Sequence, residues 1–229
     1  MAILYHHPLC PQSRFVRLML GEMGLDTELV EERVWERRPE FLALNPAGTT
    51  PVLAEAQIAA VPGAAVIAEW LDETRGAALG ARRLLPEAPK PRVEVRRLTE
   101  WFAVKFFDEV SGPLMEEKVY KRFHRGPGAA APDPAVIRAA RSNVRYHLRY
   151  IGYLMRQRKW LAGDDLSYAD LAAAAHLSTV DFFGDVPWEE DESAKQWYAL
   201  IKSRPTFRTL LADRVPGISP PAAYADLDF

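Results

Sequence analysis

The sequence predicts two structural units, an α/β unit at the N-terminus and an all-α unit behind it. Over residues 2–75, short apolar strand patterns alternate with helical patterns in the order β-α-β-(α)-β-β-α. From Arg92 onward, apolar residues recur only at the spacings of three and four that are typical of helices. The order of the first unit is that of a thioredoxin-like module, so we expect a thioredoxin-like domain followed by a helical domain.

The first unit reads as a series of short elements, each ended by a glycine, a proline or a polar turn. Gly24 is placed to end the first helix. Pro51 cannot donate a ladder hydrogen bond, so it should stand at a strand start or edge. The predicted elements are a strand at 2–5, a helix at 11–23, an extended stretch at 27–31, an irregular helix at 35–44, a strand at 51–55, a weaker strand around 57–61 and a helix at 64–73.

The second unit is predicted from apolar stripes and one helix cap. Ser167–Asp170 is a capping-box variant, and Leu166 and Leu171 flank it as a hydrophobic staple. Gly112–Pro113 should interrupt the first long helix. The predicted helices cover 92–110 with a continuation at 113–123, 134–158, 169–179, 193–200 and 206–214, with a flexible loop at 125–134.

These patterns predict a thioredoxin-like domain at 1–76, a linker at 77–91, a helical domain at 92–214 and a C-terminal tail at 215–229. One helix also carries a basic face, which is either solvated or a docking ridge for an acidic partner. Its members are Arg138, Arg141, Arg145 and Arg149.

The tail has two interpretations. Its Pro-rich start cannot remain helical, and its end alternates apolar residues with two aspartates: Asp226, Leu227, Asp228 and Phe229. It is either a disordered tail or a peptide-like ligand for a partner. The terminal Phe229, in place of small polar residues, favours the second.

Composition excludes several classes of protein. The chain has 229 residues, of which 48% are apolar and 26% are charged, and its net charge is −2. That charge argues against a protein that coats nucleic acid or an anionic membrane. No apolar run approaches the roughly 20 residues that span a bilayer, and no signal-peptide pattern begins the chain. The single cysteine excludes an intramolecular disulfide. We expect a soluble cytoplasmic protein.

Cys10 is the candidate nucleophile. It lies in a turn before a helix, where the helix dipole and the nearby Arg14 would favour its thiolate. A lone cysteine is nevertheless more often a buried, inert thiol. His6 and His7 lack an acidic cluster at metal-ligand spacing, and one of them should hydrogen-bond around the turn.

Four stretches of the chain match one known family in order. They are Tyr5–Leu20, Asn45–Leu53, Val66–Glu73 and Leu161–Asp170. On these residues the chain resembles the cytosolic glutathione transferases over residues 1–214. The resemblance implies a thioredoxin-like domain with a cis peptide before Pro51, an all-helical C-terminal domain and a two-fold homodimer.

The same resemblance raises the hypothesis of a glutathione-dependent enzyme that uses Cys10. In omega-like relatives, a cysteine at the place of Cys10 forms mixed disulfides with glutathione. In glutathione-binding members, an acid and a serine hold the γ-glutamyl end, and the matching positions here are Gly63 and Ala64. Hydrogen bonds to charged groups contribute about 1.5–3 kcal/mol each, so losing two weakens binding about a hundredfold or more. A glutathione-dependent transferase or reductase using Cys10 therefore stands as the alternative.

A narrower resemblance is to glutathione-transferase-like cell-division regulators that bind FtsZ. It rests on four stretches: Tyr5–Pro11, Glu32–Arg38, Glu117–Phe123 and Tyr224–Phe229. It implies a non-enzymatic regulator, without a cofactor, that binds FtsZ filaments at the division site and changes their bundling and curvature. An adaptor for another partner is a third hypothesis.

On this resemblance the FtsZ contact is the tail, Asp226, Leu227, Asp228 and Phe229. Trp35, Lys118 and Tyr120 are secondary candidates, because they belong to the stretches that carry the resemblance. We expect neither nucleic-acid binding, metal binding nor membrane insertion.

Overall fold

The computed structural model describes residues 2–56, 58–123 and 130–227. A four-stranded mixed sheet forms the first half, in the order β2-β1-β3-β4. β1 runs parallel to β2 and antiparallel to β3, and Leu4 stands opposite both Leu29 and Leu53. The strands are β1 (Ala2–His6), β2 (Thr27–Glu31), β3 (Val52–Ala54) and β4 (Val61–Pro62).

Three helices accompany the sheet and complete the thioredoxin-like order: α1 (Pro11–Glu22), α2 (Pro39–Leu44) and α3 (Ala64–Arg75). The Thr50–Pro51 peptide is cis, as the family resemblance implied. The predicted strand around 57–61 is wrong in position, because pairing begins only at Val61, which lies opposite Leu53. The predicted helix at 35–44 divides into a 3₁₀ turn (Val34–Glu36) and α2.

The second half is all-helical. Its helices are α4 (Pro89–Glu100), α5 (Gly112–Met115), α6 (Lys121–Phe123), α7 (Pro134–Met155), α8 (Tyr168–Phe182), α9 (Glu192–Lys202) and α10 (Arg208–Leu211). Two π-helical segments, Trp101–Ser111 and Glu116–Tyr120, join α4, α5 and α6 into one long rod. The loop predicted at 125–134 falls largely outside the described residues.

The interruption predicted at Gly112–Pro113 does not occur. The Gly112 N–H bonds to the Phe107 carbonyl, five residues back, so the helix is locally wider than an α-helix. A Cβ at position 112 would lie 2.8 Å from that carbonyl oxygen, which explains the glycine. Pro113 cannot donate to Glu109, but the Glu109 carbonyl instead accepts from the Asn143 side chain at 3.1 Å.

α8 runs through the middle of the molecule and is buried along its whole length. Its alanines let neighbouring elements approach closely, α1 in particular. Three hydrogen bonds of the described residues tie it to the thioredoxin-like half. Tyr168 Oη donates to the Ala68 carbonyl at 3.2 Å, Thr179 Oγ1 donates to the Leu9 carbonyl at 3.0 Å, and Ser178 Oγ accepts from Arg14 at 2.9 Å. The position of the turn before α1 is therefore set partly by α8.

The capping box predicted at the start of α8 is confirmed. The fully buried Asp170 carboxylate accepts from the backbone N–H groups of Leu161 and Ser167 and from Trp197 Nε1–H, at 2.9, 3.1 and 3.1 Å. Burial raises the pKa of Asp170 to about 6, although these hydrogen bonds oppose the rise. One carboxylate thus holds a loop, a helix start and α9 together.

Arginines of the basic face on α7 pair with acidic residues of the same chain. Arg141 binds the buried Asp185, and Arg145 and Arg149 both bind Glu190. These three pairs pin the loop after α8 onto α7. Within the ranges that the structure describes, no helix is long and apolar enough to cross a membrane.

We predict that Asp170→Ala lowers the free energy of unfolding by at least about 3 kcal/mol, because it removes the acceptor of four donors: the Leu161 and Ser167 N–H groups, Ser167 Oγ–H and Trp197 Nε1–H. Asp164→Ala, in the exposed part of the same loop, is the matched control and should change stability by less than about 0.5 kcal/mol. Urea unfolding followed by circular dichroism measures both. Equal effects of the two substitutions would contradict the structural role given to Asp170.

Candidate functional site

The turn that carries Cys10 joins β1 to α1. Cys10 precedes α1, its N–H bonds to the His7 carbonyl at 3.0 Å, and only 6% of the residue is exposed. Its thiol donates to the Thr50 carbonyl at 3.7 Å, beside the cis peptide. The thiol is buried and directed into the protein.

The two histidines of this turn are buried and uncharged at neutral pH. His7 Nδ1 accepts from the Leu9 N–H at 3.3 Å, which confirms that one of them hydrogen-bonds around the turn. Burial is the main reason that the pKa values of His6 and His7 fall to about 3 and about 4. Among the described residues, no three potential metal ligands are close enough to share an ion.

The Arg14 guanidinium is fully buried and is directed towards the C-terminal part of the chain. It donates to the Pro8 carbonyl at 2.7 Å, Ser178 Oγ at 2.9 Å, Tyr224 Oη at 3.0 Å and Asp213 at 3.3 Å. Burial opposes its charge, yet Tyr224 and Asp213 keep the pKa of Arg14 above its ordinary value. The support expected from Arg14 for a Cys10 thiolate is thus directed to other groups.

The start of α3 supplies neither of the side chains that hold glutathione in the family that the sequence resembles. Gly63 precedes α3 with φ +88°, a conformation that favours glycine, and its N–H bonds to the Pro51 carbonyl at 2.9 Å. A Cβ at position 63 would meet no atom within 4 Å, so the space where a side chain would stand is open. Ala64 is buried and has no hydroxyl.

Two of the secondary candidates lie together in an aromatic cluster, which we define as Trp35, Tyr120 and Phe123. Trp35 stacks on Phe123 with ring centroids 5.4 Å apart, and its centroid lies 6.1 Å from that of Tyr120. The His7 ring packs edge-on against Trp35 at 5.4 Å. Burial raises the pKa of Tyr120. The cluster therefore connects the Cys10 turn to the helical half.

Lys118, the third secondary candidate, is paired within the chain. Its ammonium binds the buried Asp185 carboxylate and lies 5.2 Å from the centre of the Phe183 ring. The side chain is 22% exposed, so a partner would reach only part of it.

The predicted tail contact is only partly described. Asp226 is exposed, Leu227 is 40% exposed, and Asp228 and Phe229 lie outside the described residues. Val215 and Tyr224 are buried in one apolar cluster, against which Trp35 and Tyr120 pack. The structure thus brings the base of the tail and the aromatic cluster together.

Sequence reasoning missed Tyr224 and Lys202 as residues that matter to the tail. Tyr224 is a single aromatic residue in a stretch rich in proline and alanine, a pattern that could have indicated an anchoring side chain. Lys202 continues the apolar stripe of α9 and is fully buried. A lysine on an apolar helix face could have indicated that Lys202 has a buried partner.

Comparison with known proteins shows the family to which the chain belongs. The glutathione S-transferase N-terminal domain model matches residues 9–74, and the C-terminal domain model matches residues 118–205. The chain belongs to the glutathione S-transferase family. It is 48% identical over 229 residues to the FtsZ-localized protein A of Caulobacter vibrioides, which covers 99% of this chain and 97% of that protein.

Solved structures agree with this assignment. The chain superposes on FzlA from C. crescentus with a TM-score of 0.91 at 48% identity, covering 100% of this chain and 99% of that one. It also superposes on a crystal structure of a glutathione S-transferase from Sinorhizobium meliloti 1021, with a TM-score of 0.96, 52% identity and full coverage of both chains.

We predict that His7 makes the protein less stable as the pH falls. His7 is neutral when folded (pKa about 4) but protonates near pH 6.5 when unfolded, so the unfolded state binds more protons below pH 6.5. Between pH 7.5 and 5.5 this costs about 1.3 kcal/mol. His7→Asn, which keeps an acceptor for Leu9, should reduce the loss of unfolding free energy over that interval by this amount. Identical losses in urea titrations would contradict the prediction.

We predict that the protein does not bind glutathione at millimolar concentration, because Gly63 and Ala64 provide no carboxylate or hydroxyl. Isothermal calorimetry should show no saturable heat. The double variant Gly63→Glu/Ala64→Ser supplies both groups and should gain measurable affinity. The positive φ at position 63 strains the glutamate, so circular dichroism must first show that the variant is folded. Saturable binding to the intact chain would refute the prediction.

Proposed function

We propose that the protein is a non-enzymatic cell-division regulator that binds FtsZ filaments as a homodimer and modulates their bundling and curvature. The observation that carries the proposal is the 48% identity to FtsZ-localized protein A along almost the whole length of both proteins. The proposed place of action is the cytoplasm, at the division site.

The geometry around Cys10 supports binding over catalysis. The thiol is buried against the Thr50 carbonyl, and Gly63 and Ala64 offer nothing to a γ-glutamyl group. Arg14, the cation beside the turn, is occupied by four partners. Cys10 belongs to the scaffold in this proposal, and no cofactor takes part.

The tail provides the chemistry of a protein contact. Asp226 and Asp228 would supply charge, and Leu227 and Phe229 would be the apolar anchors that often dominate an interface. The exposure of Leu227, a large apolar side chain, fits this role. Trp35, Tyr120 and Lys118 are proposed as a secondary surface.

A homodimer would turn two such contacts into one crosslinker. Val66 on α3 and Val93 on α4 are 57% and 63% exposed, and we propose that a partner subunit covers them. Two weak sites on one dimer act at high effective concentration along a filament. Bundling follows if the two sites engage different filaments, and altered curvature follows if they engage the same one.

A glutathione-dependent transferase or thiol reductase is the second candidate. The observation in its favour is Cys10 at the start of α1, the position of a reactive group in this family, together with relatives named as glutathione S-transferases. The calorimetry described above separates it from the first candidate, and Cys10→Ala should abolish turnover if this candidate is correct.

Co-sedimentation with polymerised FtsZ tests the proposal. We predict that the intact chain pellets with filaments and that Asp228→Lys weakens pelleting at least tenfold, because it reverses a charge in the contact. Asp164→Lys makes the same charge change at an exposed site in the helical half and should pellet like the intact chain.

Equal pelleting of the intact chain and Asp228→Lys would overturn the tail assignment. If the intact chain does not pellet, the FtsZ hypothesis itself is wrong, and a pull-down then tests the third hypothesis, an adaptor for another protein.

A further inference from the structure

Two residues are buried in the described part of the C-terminal segment. Among the described residues 215–227, Val215 and Tyr224 are buried, with exposures of 8% and 1%. The residues between these two points are partly or fully exposed, as are Ala225, Asp226 and Leu227. Tyr224 is therefore the last buried residue in the described part of the segment.

Tyr224 occupies a socket made by distant parts of the chain. Its hydroxyl accepts a hydrogen bond from Arg14 Nη1 at 3.0 Å and donates one to the Leu210 carbonyl at 3.3 Å. Its ring meets Phe182 edge-on at 5.2 Å and shares an apolar cluster with Leu9. The hydroxyl of Tyr224 is therefore hydrogen-bonded, and its ring is packed against apolar side chains.

Lys202 also holds the segment around Tyr224 in place. The fully buried ammonium donates to the Ala223 carbonyl at 3.5 Å and lies 5.8 Å from the centre of the Tyr224 ring. A 3₁₀ turn, Ala222–Ala225, ends the anchored segment, and the Asp226 N–H bonds to the Ala223 carbonyl at 3.1 Å. Burial lowers the pKa of Lys202, while the carboxylates of Asp181 and Asp226 oppose that change. Two buried cations therefore face the anchored turn.

From these contacts we infer that Tyr224 is a positioning residue that fixes where and in which direction residues 226–229 leave the protein body. This inference rests on the proposed function, in which those four residues meet FtsZ. Only Ala225 separates the anchor from Asp226, so the contact segment begins directly beside a fixed residue. A pre-organised segment loses less conformational entropy on binding than a free chain end, which increases affinity.

Two matched insertions test the inference. Gly-Ser-Gly inserted after Ala225 leaves the socket and all four contact residues intact but separates them. The same insertion after Ser219, an exposed position between the two buried points and beyond the Val215–Ile218 turn, lengthens the tail without detaching its end. We expect the first insertion to weaken co-sedimentation with FtsZ about tenfold and the second to leave it unchanged, with equal melting temperatures for both. Equal effects of the two insertions would overturn the inference.

A second measurement needs no partner. Carboxypeptidase Y treatment followed by mass spectrometry gives the point at which trimming stops. We expect trimming of the intact chain to stop before Tyr224, and trimming of Tyr224→Ala to continue past position 224. The same stopping point in both proteins would show that Tyr224 does not hold the segment.

These arms separate failure of the inference from failure of the proposed function. If Asp228→Lys weakens pelleting but neither insertion does, the tail binds FtsZ without being positioned, and the inference alone is wrong. If the intact chain does not pellet, the proposed function is wrong and the inference about FtsZ falls with it.

Discussion

One buried cation holds the ends of this chain together. The Arg14 guanidinium is fully buried. A buried charge without partners would cost several kcal/mol. The partners of Arg14 are Pro8, Ser178, Asp213 and Tyr224. They come from the turn before α1, the middle of α8 and the segment after α10. The fold of the first turn and the course of the tail therefore depend on the same charge.

α8 gives the second constraint. Because it is buried along its whole length, its polar groups depend on partners inside the protein, and His176 Nε2 is a buried atom of α8 without one. Asp170 finds partners at the start of the helix, and Thr179 finds one in the Leu9 carbonyl beside Cys10. The helical half thus fixes the turn that, in a catalytic relative, would carry the reactive group. A turn held this firmly suits a scaffold as well as it suits an active site.

Features that depend on neighbouring residues could be predicted from the sequence, and features that depend on distant ones could not. The capping box at Ser167–Asp170 and the helix of residues 11–22 are local patterns. The continuous helix through Gly112–Pro113 depends on Asn143, which is distant in sequence and lies on α7. Its side chain donates to the Glu109 carbonyl, which Pro113 cannot reach with a hydrogen bond of its own. The Arg14–Tyr224 bond joins residues 210 positions apart, so the anchoring of the tail had no local signal beyond the tyrosine itself.

The bond between Arg14 and Tyr224 also has a consequence for the order of events during synthesis. Arg14 is made 210 residues before Tyr224. Until Tyr224 has been made, the guanidinium lacks one of its four partners, and the apolar cluster around Leu9 lacks the tyrosine ring. The N-terminal turn can therefore reach its final packing only after Tyr224 has left the ribosome.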